Sequence, residues 1–175
     1  SIIMLNKKNK ICAVVLAAGK GTRMNGNLPK VLHKLLGKPM IHFTADMLKK
    51  LNLSSFFVVG YGADKVKRAL NKYPNVNFVF QKEQLGTGHA VNVALKKIDP
   101  NKFRSIVVLH GDSSAFFRTK TIENLIKQHN KEKAIVSILT VFKEKSEGSG
   151  VILFDKNGKV LKDIETKNKD YYYCM

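Results

Sequence analysis

Three short stretches carry residue types suited to a phosphate-bearing ligand. The first is Gly19-Lys-Gly-Thr-Arg23, followed by Lys30. Its glycines let backbone N–H groups approach an anion closely, and Lys20, Arg23 and Lys30 bring positive charge to the same place. The second is Gln81-Lys-Glu-Gln-Leu-Gly-Thr-Gly-His-Ala90. A glutamine offers both a donor and an acceptor; taken bare, Gly86-Thr-Gly88 is a turn that caps the next helix. The third is His110-Gly-Asp112. A carboxylate at the end of an apolar strand can hold Mg²⁺, a hard ion that takes oxygen ligands, although a single aspartate does not by itself specify a metal. Two familiar phosphate loops are excluded by spacing. A G-x-G-x-x-G fingerprint starting at Gly19 needs glycine where Met24 stands. A P-loop starting at Gly21 needs Lys and Ser/Thr where Asn27 and Leu28 stand.

Each stretch follows an apolar run that must position it. The run Ile11-Cys-Ala-Val-Val-Leu-Ala17 reads as a strand buried on both faces, which places it in a parallel sheet. Phe56-Phe-Val-Val59, residues 76–80 and Ile106-Val-Val-Leu109 read as further strands. Helices are predicted over 39–51, with Pro39 at the first helical position, and over 64–70. Two more are predicted, one with Val91, Ala94, Leu95 and Ile98 on its apolar face, the other with Ile122, Leu125, Ile126 and His129. On that last face His129 reads as packed or half-exposed rather than as a ligand. Residues 134–142 are apolar enough for a strand. Asp155-Lys-Asn-Gly158 between two apolar runs, 151–154 and 160–164, signals a hairpin. Strands alternating with helices predict an α/β fold, a doubly wound and mostly parallel sheet covered on both faces. We expect one domain over 11–175, preceded by a tail at 1–10. In such sheets ligands bind beyond the carboxyl ends of the strands, so the three loops are expected to converge.

Composition narrows the class. The 175 residues are 44% apolar and 25% charged, ordinary values for a globular chain. Two cysteines make no disulfide framework; Cys12 reads as a small core residue and Cys174 as exposed. No apolar run is long enough to span a membrane, and the apolar start precedes its lysines, the reverse of a signal peptide. A cytoplasmic protein with no membrane partner is expected. The net charge of +18 raises nucleic acid as a partner. The lysines, however, are spread along the chain, no basic run is interleaved with aromatics, and no nucleic-acid motif is present. The charge reads as a solvated basic surface that serves nucleotide phosphates in part, with no specific nucleic acid.

Leu16-Ala-Ala-Gly-Lys-Gly-Thr-Arg-Met24 followed by Leu28-Pro-Lys-Val-Leu32 resembles the signature of sugar-nucleotide pyrophosphorylases. With the 81–90 stretch, residues from about 11 to about 167 resemble the uridyltransferase domain of the bacterial bifunctional enzymes that make UDP-N-acetylglucosamine, a cell-wall precursor. The resemblance implies a Rossmann-like nucleotide-diphospho-sugar transferase fold, Mg²⁺, and UTP and a sugar 1-phosphate as substrates. By that resemblance Leu16, Ala17, Ala18, Gly19 and Gly21 contact the nucleotide, and Arg23 and Lys30 are the catalytic cations on its phosphates. Gln81, Gly86 and Thr87 read the base and ribose, Asp112 holds the metal, and Gly150 and Glu165 meet the sugar. His89 matches the pattern and is assigned a structural role. The reaction implied moves UMP from UTP to N-acetylglucosamine 1-phosphate and releases pyrophosphate.

The sequence also departs from that family. Ser113-Ser-Ala-Phe116 replaces a proline-containing segment, and Val151 follows Gly150 where arginine is usual. The family's second metal ligand, an asparagine, and its trimerising β-helix domain fall beyond Met175, so a truncated chain of unknown oligomeric state is expected. Two other readings fit the residues: a non-catalytic module that binds UTP or a UDP-sugar, and a basic nucleic-acid-binding protein.

Overall fold

The computed structural model describes residues 11–21, 27–140, 150–156 and 160–165. The expectations for the 1–10 tail, for Arg23 and for Cys174 lie outside the described residues. The chain divides into two compact units, Ser1–Lys133 and Ala134–Met175.

The first unit is built on strand β1 (Ile11–Ala17). The chain then makes a 3-10 turn over Lys30–Leu32 and a small hairpin of β2 (Lys34–Leu35) and β3 (Lys38–Pro39). Helix α1 (Met40–Lys50), β4 (Ser54–Val59), α2 (Ala63–Leu70) and β5 (Val76–Phe80) follow in alternation. Helix α3 (Thr87–Leu95), β6 (Ser105–His110) and α4 (Thr119–Glu132) complete the unit. The sheet runs β5-β4-β1-β6 with every pairing parallel. Winding goes outward from β1 through β4 to β5, then crosses to the other side of β1. That reversal is the switch point where open α/β sheets open a crevice.

The alternation along β1 explains why it is central. Ala13, Val15 and Ala17 point into a core shared with α1, α2 and α4. Cys12 and Val14 point into a second core with Phe56, Val58, Ala90 and Ala94, under α3. On α1 the residues Ile41, Thr44, Ala45 and Leu48 are buried, as their spacing predicts. Pro39 is the residue before the helix rather than its first, because its ψ of 136° is extended. On α3 the buried side is Ala90 and Ala94, continuing to Ile98; Leu95, expected on that side, is 46% exposed.

Cys12 is fully buried, and burial pushes its thiol up to about 11. A buried neutral thiol is a poor nucleophile. Titration of the native protein with an aromatic disulfide reagent is therefore expected to leave Cys12 unmodified. Denaturant should make Cys12 reactive; modification of Cys12 in the native protein would contradict this packing.

The second unit contains the predicted hairpin, β7 (Gly150–Phe154) and β8 (Val160–Glu165), paired antiparallel. The strand expected over 134–142 is not present among its described residues. Residues 134–140 form no regular element, and Ile135 is 98% exposed.

Candidate active site

A cleft of about 300 Å³ opens at the carboxyl ends of the parallel strands of the first unit. Its floor comes from the end of β1, where Leu16, Ala17, Ala18 and Gly19 line it. One wall is Gln81, Gly86 and Thr87, running from the end of β5 into the start of α3. The other wall is Lys30 and Asp112. Nine of the sequence-predicted site residues thus meet in one crevice. Gly21 is outside the lining; its φ is +68°, and a Cβ there would lie 2.9 Å from Lys30 Cβ, so its bare backbone packs against the lysine. Four lining residues were not assigned from sequence: Val31, Gln84, Ala90 and His110. All four stand inside stretches already singled out, Val31 in 28–32, Gln84 and Ala90 in 81–90, and His110 in 110–112. Val31 and Ala90 carry no chemical signature that could have flagged them.

Lys30 and Asp112 form an ion pair through Nζ and Oδ2, and the Asp112 side chain is 21% exposed. Asp112 also caps a short 3-10 turn, Ser113–Phe116, where its Oδ1 accepts the Ser113 N–H at 2.8 Å and the Ser113 hydroxyl at 3.2 Å. Burial pushes the Asp112 carboxyl up. The Lys30 ammonium and the Ser113 N–H outweigh it and hold the group below the usual carboxylate range. The carboxylate is ionised at neutral pH, and its pairing is lost only as pH falls through that depressed range.

Several contacts fix these loops in place. Gly111 N–H donates to Leu16 O at 2.9 Å. A Cβ on Gly111 would come within 3.0 Å of Ile41 and 3.1 Å of Leu16 O, so only glycine brings the third loop this close to β1. Thr44 and Ser114, both buried polar residues, meet at 2.8 Å, and the Ser114 hydroxyl donates to His110 O. Helix α1 thereby holds the Asp112 turn. Lys20 Nζ lies 5.4 Å from the centre of the Tyr61 ring.

On the wall formed by β5 and α3, Gln81 is buried, and its Nε2 lies 2.9 Å from His89 Nδ1 and 3.4 Å from Gly86 O. Gly86 has φ +94°, a conformation open to glycine, and precedes the first residue of α3. The exposed N–H groups and dipole of that helix start favour negative charge in the cleft.

The lysine loop depends on Gly62. Its φ is +62°, and a Cβ there would sit 2.4 Å from Pro29 Cγ. Gly62→Ala is expected to displace Pro29 and Lys30 and to cost on the order of 1–3 kcal/mol in stability. Nucleotide affinity should fall with it. A denaturation midpoint and an affinity both equal to those of the parent protein would refute this.

Gly150 and Glu165 are register partners at the open end of the hairpin in the second unit. The structure brings these two together, each within that unit. Among the described residues no group of three His, Cys, Asp or Glu side chains forms a metal cage, and no helix is long and apolar enough to cross a membrane.

Comparison with known proteins adds to this geometry. Residues 13–165 match the family described as "MobA-like NTP transferase domain". The "Bifunctional protein GlmU" of Bacillus licheniformis is 41% identical over 161 residues, which cover 91% of this chain and 34% of that protein. The chain spans about a third of the length of the curated relatives it matches. Among solved structures, HddC from Yersinia pseudotuberculosis complexed with GMP-PN superposes with a TM-score of 0.68 at 24% identity, covering 90% of this chain and 70% of its own. Rv0371C from Mycobacterium tuberculosis in complex with manganese gives 0.56 at 23% identity, covering 68% and 59%. These structural likenesses extend to the α/β nucleotidyltransferase fold.

Proposed function

Because the chain belongs to the family of MobA-like NTP transferase domains, we propose that its cleft transfers UMP from UTP to N-acetylglucosamine 1-phosphate, giving UDP-N-acetylglucosamine and pyrophosphate. The observation that carries this reading is the cleft itself. It sets a buried amide and a glycine-rich backbone on one wall against an ionised Lys30–Asp112 pair on the other. A base and a triphosphate need those two kinds of surface on opposite sides. The 81–90 stretch, which resembles the uridyltransferases, favours uracil over other bases.

In the proposed reaction a phosphate oxygen of the sugar 1-phosphate attacks the α-phosphorus of UTP in line. A new phosphorus–oxygen bond forms, the bond from the α-phosphorus to the bridging oxygen breaks, and pyrophosphate leaves with the electron pair. No covalent bond to the protein is needed. Such chemistry is accelerated by positioning and by charge placed where negative charge spreads. N–H groups around Ala18, Gly19 and Gly21 donate to the phosphate oxygens. Lys30, with Arg23, neutralises them. Gln81, Gly86 and Thr87 hold the base and ribose so that the α-phosphorus faces the acceptor. Gly150 and Glu165 are assigned to the acceptor sugar.

Asp112 fits a divalent cation of the Mg²⁺ type. It is a hard, ionised carboxylate in the cleft wall, and Mg²⁺ is commonly held by one or two carboxylates together with substrate phosphates rather than by a full protein cage. The manganese complex of Rv0371C is in keeping with divalent metal use in this fold. Once bound, such a cation supplies charge neutralisation on the phosphates. Asp112 would hold such a cation, and Lys30, its present ion-pair partner, would then serve the triphosphate.

The deciding experiment measures pyrophosphate release from UTP plus N-acetylglucosamine 1-phosphate, with and without Mg²⁺, beside direct UTP binding. Metal-dependent release is expected. UTP binding without release would instead make the chain a binding module. Absence of both would overturn the proposal.

A further inference from the structure

We infer that His89 is the positioning residue that fixes which face of the Gln81 amide a nucleotide base meets. This deepens the proposal that Gln81 reads the base and rests on it. Gln81 lines the cleft and His89 does not, so the imidazole is placed to act on a ligand through the amide it touches. Gln81 Nε2 has two neighbours, Gly86 O at 3.4 Å and His89 Nδ1 at 2.9 Å. A carbonyl oxygen can only accept, and Gly86 O already takes the Ala90 N–H of helix α3 at 3.1 Å. The amide NH₂ must therefore face Gly86. With that orientation set, His89 Nδ1 has to be the acceptor of the second N–H, which demands the imidazole tautomer with its proton on Nε2.

Both hydrogens of the Gln81 amide are then committed to the protein. Oε1 is the atom left to meet a ligand, and it can only accept. A base that presents a ring N–H at this point, as uracil does, gains a hydrogen bond. A base that presents a ring lone pair there, as cytosine does, meets oxygen against nitrogen and is rejected. Without the imidazole acceptor the amide is held by Gly86 alone, at the longer of the two distances. It can then rotate by half a turn and offer its NH₂ to the base, so discrimination falls while the phosphate end of the cleft is untouched.

The test measures dissociation constants for UTP and CTP in four proteins: the parent, Gln81→Ala, His89→Phe and His89→Asn. Asparagine can place a carbonyl oxygen near the position of Nδ1, so it serves as the conservative rescue. His89→Phe is expected to reduce the preference for UTP over CTP about tenfold, the scale of one hydrogen bond, and His89→Asn to restore most of it. The imidazole nitrogen shifts of ¹⁵N-labelled parent protein should report the tautomer protonated on Nε2. If Gln81→Ala lowers the preference and His89→Phe does not, the positioning role fails while the base-reading role of Gln81 stands. If Gln81→Ala leaves the preference unchanged, the base-reading role itself fails. An imidazole protonated on Nδ1 in the neutral form overturns the inference whatever the affinities.

Discussion

Lys30→Ala is expected to lower pyrophosphate-releasing turnover by on the order of 10²–10³-fold, the loss typical of one preorganised donor aimed at transition-state charge. The fold should be unharmed. The Lys30 side chain is 47% exposed, and an ion pair so open to water adds little to stability. The same substitution should act in the opposite sense on metal binding. With no nucleotide present the ammonium occupies Asp112 Oδ2, where a divalent cation would have to coordinate. Removing it removes the competitor, so Mn²⁺ affinity measured by electron paramagnetic resonance should rise several-fold in the variant. Lower turnover together with weaker metal binding would show that Lys30 supports the metal site rather than competing for it. Full turnover would remove Lys30 from the mechanism.

Asp112→Asn is the second large effect. Asparagine keeps an oxygen that can accept the Ser113 N–H, so the cap of the 3-10 turn survives. Stability should therefore change little. The ionised oxygen is lost, and metal-dependent turnover should fall on the order of 10²–10³-fold. UTP binding measured without metal should be retained or improved, because one negative charge beside the triphosphate has gone. Asp112→Ala should behave alike in turnover and additionally lose about 1 kcal/mol with the cap. An Asp112→Asn protein that keeps full metal-dependent activity would place the metal elsewhere.

Much of the scaffold was legible because its signals are local. The apolar run ending at Gly19 marks β1, and the 3.6-residue spacing of Ile41, Thr44, Ala45 and Leu48 marks α1. Other features were hidden for identifiable reasons. The β2–β3 hairpin turns through Leu36 and Gly37, both with positive φ. A 93%-exposed leucine is an unusual occupant of that conformation, and nothing in its side chain announces the turn. Residues 134–140 have strand composition but form no regular element, since β propensity depends on context more than helix propensity does. Leu95 and Ala94 are both apolar, and the phase of α3 that buries Ala90, Ala94 and Ile98 leaves Leu95 on the exposed side.

The site divides in the same way. The three motifs and the residues within them were readable, since glycines, cations and a strand-end carboxylate announce themselves. Their pairings were not. Nothing in the sequence says that Lys30 and Asp112, given separate tasks, share an ion pair, or that the buried polar contact of Thr44 with Ser114 holds the Asp112 turn. Nor does it show that His89 touches Gln81. The Lys30–Asp112 pairing follows from sheet order, and the Gln81–His89 contact from the path of the loop between β5 and α3.

The order of the strands also sets a timetable. β1 gains its β4 neighbour within one helix of chain, but Ile11 waits for Ser105 before its other edge is covered. During synthesis the wall of Gln81, Gly86 and Thr87 can assemble once α3 has left the ribosome, while Lys30 has no carboxylate to meet until Asp112 emerges. Throughout that interval the nascent chain carries an open, apolar strand edge at its centre, the kind of surface that recruits chaperones or neighbouring chains. Joining Lys30 to Asp112 and covering that edge both wait for β6.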